Sequence, residues 1–395
     1  MDIIRTGDQN LVKKINKSIV LHCIEEKGPI SRAEISKATS LNKATVSTMV
    51  SELIKDNFVN EIGMGKSSGG RKPVMLYFNY HAGYSIGIDL GVNYILAILT
   101  DLKGTIVEEI SEPLNGTDQE TIIQQMNHVI ERLVHIAPKS PYGIVGIGIG
   151  VPGSVNKEGT ILFAPNLDLD QIQLKQIIEH KFAIPTIVVN EANAGVYGEQ
   201  KYGAGKNIDN LIYVSIGIGI GTGIIINNEL YTGSTGISGE LGHHTIETSG
   251  KKCRCGNYGC WELYASESAI LQEAEKLEVF KNTHNIQLNM IEIEANKENK
   301  EVLQLLHNIG EYIGVGLTNI INTFNPNMII LGNRVARFEK WISKPIKDMI
   351  DLRLSSFHRK SVKINFASLG KYSSALGASS FVIVNFLDDN RITVK

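Results

Sequence analysis

Apolar residues recur at helical spacing from Leu11 to Glu26, with Val12, Ile15, Ile19 and Cys23 on one stripe, and Lys27-Gly28-Pro29 breaks the pattern. Ser31, with Glu34 three residues later, is a capping box that opens a short helix through Ala38. A tight connection at Thr39-Ser40-Leu41 leads to Asn42, which caps a third helix with Val46, Val50, Leu53 and Ile54 as its buried stripe. The other face carries Lys43, Thr45, Ser47, Thr48 and Ser51. Phe58–Ile62 and Val74–Phe78 read as two strands around a glycine-rich loop bearing Lys66, Arg71 and Lys72. Helix, short turn, helix with a small polar face, then a basic-tipped hairpin is the winged helix-turn-helix arrangement, whose second helix enters a major groove. The expected DNA contacts are Asn42, Lys43, Thr45, Ser47 and Thr48 on the helix and Arg71 and Lys72 on the wing. The competing reading is a small helical interaction module with a solvated loop.

A different pattern starts at Tyr84. Tyr84–Gly91, Tyr94–Thr100 and Thr105–Ile110 are three strands in a meander, a helix follows near Glu120–Ile136, and Ile144–Val151 is a buried strand. After another helix, Thr186–Val189 is a short buried strand ending at Asn190-Glu191-Ala192-Asn193. The pattern partly repeats with Leu211–Ile216, a glycine-rich bend over Gly217–Gly223, and a hairpin strand to Asn227. Then come a helix at Val302–Phe324, a strand at Met328–Leu331, a helix from Val335, a strand at Val362–Ala367 and a closing helix from Ala375. The expected organisation is residues 1–80 as the winged module, 81–200 as a first α/β lobe and 201–374 as a second. Residues 375–395 are expected to pack back on the first lobe.

A chain of 395 residues accommodates two or three domains. No uninterrupted apolar run approaches the roughly eighteen residues needed to span a bilayer, and Met1-Asp2-Ile3-Ile4-Arg5 lacks the pattern of a signal peptide, so the expected location is the cytoplasm. The net charge of −2 hides an asymmetry: residues 1–80 hold twelve Lys or Arg against eight Asp or Glu. A basic end on an acidic body fits a polyanion partner.

Three of the four cysteines lie within Cys253-Arg254-Cys255-Gly256 and Gly259-Cys260-Trp261-Glu262, and His243 stands ten residues upstream in Gly239-Glu240-Leu241-Gly242-His243-His244. One imidazole and three thiolates make a ligand set for tetrahedral, structural zinc, with His243, Cys253, Cys255 and Cys260 as ligands. Gly256 and Gly259 are expected to turn the loop around the ion. Buried reduced cysteines and a disulfide are the weaker alternatives. Cys23 reads as a separate buried thiol.

The glycine bend, Gly233, the Gly239–His243 segment and the Cys253-x-Cys255-Gly256-x-x-Gly259-Cys260-x-Glu262 run together closely resemble the ROK family, which joins bacterial sugar kinases with sugar-responsive repressors. The likeness spans essentially the whole chain, including the winged helix of the repressor branch. It implies a two-lobed actin-like ATPase (ribonuclease H-like) sugar-kinase fold behind the winged module. It also implies a sugar in the cleft held by Asn166, Asn190, Glu191, Glu240, His243 and Glu262, whose carboxylates suit hydroxyl donors.

Three departures from the kinase pattern favour a sensor over an ATP-dependent sugar kinase, the competing class. The family's Asp-x-Gly-Gly-Thr phosphate turn is Asp89-Leu90-Gly91-Val92-Asn93 here, a Gly-Thr-Gly turn is Gly217-Ile218-Gly219, and the Asn-Asp that supplies the base is Asn190-Glu191. Lost glycine and hydroxyls weaken the phosphate cradle, and one extra methylene misplaces the base. Glu191 also extends toward the space of a hexose C6 group, so a pentose such as xylose is the favoured inducer. The resemblance further implies a homodimer that reads two half-sites and loses operator affinity when sugar binds. A regulator answering to a protein partner, with a vestigial pocket, is a third reading. The zinc is expected to fix the loop between Glu240 and Glu262, with His243 serving both ion and sugar, and His244 is expected to be an ordinary surface or packing residue.

Overall fold

The computed structural model describes residues 9–64, 73–164 and 166–389, and the basic wing tip with Lys66, Arg71 and Lys72 lies outside them. The N-terminal module contains α1 (Gln9–Lys27), β1 (Ile30–Ser31), α2 (Arg32–Thr39), α3 (Lys43–Lys55), β2 (Val59–Met64) and β3 (Val74–Phe78). The capping box forms in full, Ser31 accepting from the Glu34 amide and Glu34 from that of Ser31. Asn42 Oδ1 accepts from the Thr45 amide at 2.8 Å and so fixes where α3 begins. The buried stripe of α3 is Val46, Met49, Val50 and Leu53. Met49 takes the place expected for Ile54, which falls at the edge of the stripe and is half-buried. The two residues of β1, unforeseen in the sequence, pair antiparallel with β3 and set Ile30 opposite Leu76.

In the first lobe β4 (Tyr84–Leu90), β5 (Tyr94–Asp101) and β6 (Ile106–Pro113) form the expected meander, covered by α4 (Gln119–Ile136). On the other side of β4, β7 (Ile144–Val151) runs parallel to it. The sequence reading puts only a helix before the next strand. The structure inserts β8 (Ser154–Val155), β9 (Ile161–Ala164) and β10 (Leu169–Ile172), a small antiparallel flap, ahead of α5 (Leu174–Phe182). Strands of two and four residues are too short to show a period. The lobe closes with β11 (Thr186–Asn190), parallel to β7, and α6 (Glu191–Tyr202).

The second lobe repeats this order. β12 (Leu211–Ile216), β13 (Ile220–Ile226) and β14 (Glu229–Leu230) are the meander. Short helices α7 (Glu262–Ala265), α8 (Glu267–Ala274) and α9 (Leu288–Asn296) lead to the long α10 (Lys300–Phe324). β15 (Met328–Gly332), α11 (Glu339–Arg353), α12 (Ser356–Ser361), β16 (Lys363–Phe366) and α13 (Ser373–Asp389) complete the chain, with β15 and β16 parallel to β12. The bend expected over Gly217–Gly223 is confined to its first residues, since β13 starts at Ile220. Gly223 serves close approach: a Cβ there would sit 2.2 Å from the Ala192 carbonyl of α6. The helix expected from Val335 begins as a 3₁₀ turn, Arg334–Phe338.

The closing helices of the two lobes are exchanged. α6 packs on β12 and β13, α13 on β4 and β7, and the two helices pack on each other. A Cβ on Gly377 would meet the Ala194 carbonyl at 1.7 Å, so only glycine admits this separation. The buried Glu199 carboxylate pins the same junction, accepting from the amides of Ala204, Ser368 and Leu369 and from the Ser373 hydroxyl. Farther along α13, Ile383 and Leu387 enter the winged module's core with Val20, Leu53, Phe58 and Phe78. Phe386 sits edge-on to Tyr142, 5.1 Å between ring centres, and Tyr142 stacks on Phe58 at 5.0 Å.

Candidate functional site

The turns after β4 and β12 and the first residues of α6 converge on a cleft between the lobes, with a cavity of about 590 Å³. Asn166, Asn190, Glu191, Glu240, His243 and Glu262 all line it. Asn190 ends β11 and caps α6. Its Oδ1 accepts from the amides of Ala192 and Asn193, and its Nδ2 donates to the Gly153 carbonyl at 2.9 Å, so most of its polar capacity is structural. Glu191 Oε1 accepts from the Ser215 hydroxyl at 2.9 Å. Burial, then the neighbouring Asp89 charge, pushes the Glu191 carboxyl up to about 7. Asp89 is itself 4 % exposed, raised by burial, and accepts from the Tyr94 hydroxyl at 2.6 Å.

Across the cleft mouth the flap meets the cysteine loop. Ser154 donates to Glu240 Oε1 at 3.1 Å, and Arg254 donates to Asn166 Oδ1 at 3.0 Å. Sequence reasoning missed Asp89, Tyr94, Arg254, Asn333 and Arg334 as cleft residues. Asp89 carried a signal, since it opens the turn compared with the kinase motif. Asn333 and Arg334 carried none beyond their place at the carboxyl end of a central strand, where ligands of open α/β sheets gather.

The ligand atoms of His243, Cys253, Cys255 and Cys260 all lie within 4.8 Å of one another. Cys255 Sγ is 3.7 Å from Cys260 Sγ, and Cys253 Sγ is 3.7 Å from His243 Nδ1. Tetrahedral zinc with ~2.3 Å zinc–sulfur bonds separates its ligands by about 3.8 Å, so the donor set and spacing fit such an ion. Gly256 and Gly259 have φ of 92° and 68°, the left-handed conformation expected of the loop. His243 turns Nδ1 toward Cys253 while Nε2 lies 3.9 Å from Glu240 Oε2, facing the cleft. His244 is exposed.

In the winged module Lys43, Ser47 and Thr48 are exposed on α3, and Thr45 is half-buried. Asn42 is committed through Oδ1 to its cap, and the Thr48 hydroxyl donates to the Ala44 carbonyl of its own helix. Arg71 and Lys72 fall in the wing segment outside the described residues.

Residues 85–384 match the ROK family and residues 17–61 the MarR family. The chain belongs to the ROK family. A xylose repressor of Bacillus spizizenii is 48 % identical over 392 residues, covering 98 % of this chain and 99 % of that protein. The crystal structure of a ROK family transcriptional regulator, a homologue of the E. coli MLC protein, superposes with a TM-score of 0.81 at 27 % identity, covering 96 % of this chain and 97 % of that one. A ROK family glucokinase from Streptomyces griseus, solved with glucose and AMPPNP, superposes with a TM-score of 0.69 at 28 % identity, covering 76 % of this chain and 99 % of that one. The kinase thus matches about three quarters of the chain, the ROK regulator nearly all of it. Among the described residues no helix is long and apolar enough to cross a membrane.

Proposed function

We propose that this ROK protein is a sugar-responsive transcriptional repressor of the cytoplasm. It binds operator DNA as a homodimer through α3 and the wing and is released by a monosaccharide, xylose being favoured. The observation that carries the reading is the joining, through α13, of a helix-turn-helix module to a kinase-type cleft whose phosphate turns have lost their second glycine and hydroxyls. The relatives named xylose repressor, alike over nearly the whole chain, support the choice of sugar. Hydroxyls of a pyranose in the cleft would be met by Glu191, Glu240, His243 Nε2 and Glu262, with Asn166 and the remaining amide proton of Asn190 at the edges. DNA would be met by Lys43, Thr45, Ser47, Thr48, Arg71 and Lys72, with Asn42 contributing its amide nitrogen.

Zinc would be held by His243, Cys253, Cys255 and Cys260 and would supply a structural cross-link, since four protein ligands leave no position for water. This chain's part is to place Glu240 and Glu262 on either side of that loop. Because sugar and DNA act on one protein, each weakens the other by the same free energy. The test is operator retention at fixed salt with and without xylose: release at millimolar or lower xylose, with glucose much weaker, is expected. Retention unaffected by any pentose sinks the reading. Sugar-dependent ADP release would favour the kinase alternative, toward which the glucokinase likeness points.

A further inference from the structure

The end of the cleft where family kinases hold phosphates is crossed here by a side chain of the protein itself. Arg334 follows β15 on the second lobe, and its guanidinium meets three groups at once. Nη1 lies 3.2 Å from Glu267 Oε1 on the same lobe. Nη2 donates to Asn93 Oδ1 on the first lobe at 2.6 Å. The guanidinium carbon also stands 5.3 Å from the centre of the Tyr94 ring, again on the first lobe. Tyr94 in turn donates to the buried Asp89, so the clasp continues into the floor of the cleft.

Each contact suits a planar cation. A guanidinium offers a rigid fork of donors and a face for aromatic stacking, which an ammonium does not. Glu267 is almost wholly buried, its second oxygen has no hydrogen-bond partner among the described residues, and its first oxygen pairs with Arg334. Asn93 holds the position where the kinase turn has its threonine. The amide oxygen here accepts from a cation of the opposite lobe.

We propose that Arg334 is a positioning residue that clasps the two lobes across the former phosphate position and so sets the cleft closure on which pentose affinity depends. The clasp explains why Asn93 departs from the kinase turn: the side chain is used between lobes. The effect on sugar rests on the reading of the cleft as a sugar site.

The test uses the full chain, with calorimetric titration of xylose into the wild type, Asn93→Ala, Arg334→Lys, Arg334→Ala and the Asn93→Ala/Arg334→Ala double variant. Asn93→Ala removes only the cross-lobe bond and leaves the Arg334–Glu267 pair, so it stays informative if Arg334→Ala fails to fold. Losing one charge-assisted hydrogen bond is expected to weaken xylose about tenfold. Arg334→Lys is expected not to rescue, since a single ammonium cannot hold Glu267 and Asn93 together. The double variant is expected to lose no more than Arg334→Ala, because Arg334→Ala already removes the contact that Asn93→Ala breaks. Unchanged affinity in Asn93→Ala, wild-type affinity in Arg334→Lys, or losses that multiply would each overturn the clasp. Amide hydrogen exchange of the sugar-free protein gives a second reading. Faster exchange at residues 91–94 and 217–219 in Asn93→Ala is expected, and unchanged exchange overturns the clasp. If the wild type binds no pentose, the sugar reading fails and this exchange measurement alone decides on the clasp.

Discussion

Replacing Glu191 by Gln should stabilise the protein in a pH-dependent way. The Glu191 carboxyl is raised to about 7, first by burial and then by Asp89, whereas the unfolded chain titrates near the ordinary 4.5. Below about 4.5 both states are protonated and the group contributes no pH dependence. As pH rises from there to about 7 the unfolded chain releases a proton that the folded protein keeps, so stability falls by ~1.4 kcal/mol per unit. The loss accumulates to about 3 kcal/mol and is constant above pH 7. That is a ceiling, because Glu191 also faces the cleft, which is open to solvent. Gln has the same shape, accepts from Ser215 as Glu does, and has no proton to lose. Other carboxylates titrate in both proteins and largely cancel in the difference. Paired denaturant titrations at pH 4.5, 5.5, 6.5 and 7.5 should show Glu191→Gln gaining on the wild type across this range and levelling off above it. A difference independent of pH would refute the buried, charge-opposed state of Glu191, and a wild type that gains with pH would reverse its sign.

Glu191→Asp should shorten the side chain away from the C6 position and relax selectivity toward glucose, measured as the ratio of xylose to glucose affinities by calorimetry; an unchanged ratio removes the steric account of pentose preference. Cys255→Ser should lose bound zinc by elemental analysis and lose xylose-dependent operator release, while normal induction in a zinc-free variant would break the link between loop and pocket. Gly377→Ala should cost more than ~3 kcal/mol, because its Cβ would lie 1.7 Å from the Ala194 carbonyl; a wild-type denaturation midpoint would contradict the α6–α13 contact. Phe386→Ala should leave xylose binding intact but blunt operator release, since it empties part of the junction with Phe58 and Tyr142; release at wild-type xylose concentrations would count against that junction as the coupling element.

Regular elements were legible wherever burial imposes a period. The long helix ending at Phe324 shows such a period on its one buried face, whereas β4 and β5 of the meander are buried on both faces and read as apolar runs between turn residues, and the Ser31–Glu34 capping box reads from local spacing alone. The cysteine cluster was legible because three thiols and an imidazole, set among glycines and polar residues, match ligand spacing and no core period. Three features were not. Gly223 reads as a bend, yet it lies in a strand and is glycine because α6 comes within contact of it. Asn190 reads as a sugar ligand, yet its short amide side chain is largely spent on capping α6. Arg334 lies two residues after a buried strand with no motif around it, and its meaning depends on Asn93, which is brought near only by the closing of two lobes.

The exchanged closing helices put one helix, α13, in contact with both the cleft and the winged module. Its first turn abuts Gly150 next to Glu191, and its last turns lie among the side chains that hold the winged module together. A helix of 17 residues is a strut about 26 Å long. Tilting such a strut by about 5° at the cleft end swings the far end by ~2 Å, beyond the tolerance of hydrogen bonds to base edges. A change too small to alter any fold element would therefore suffice to take α3 out of register with the groove it would enter under the proposed function.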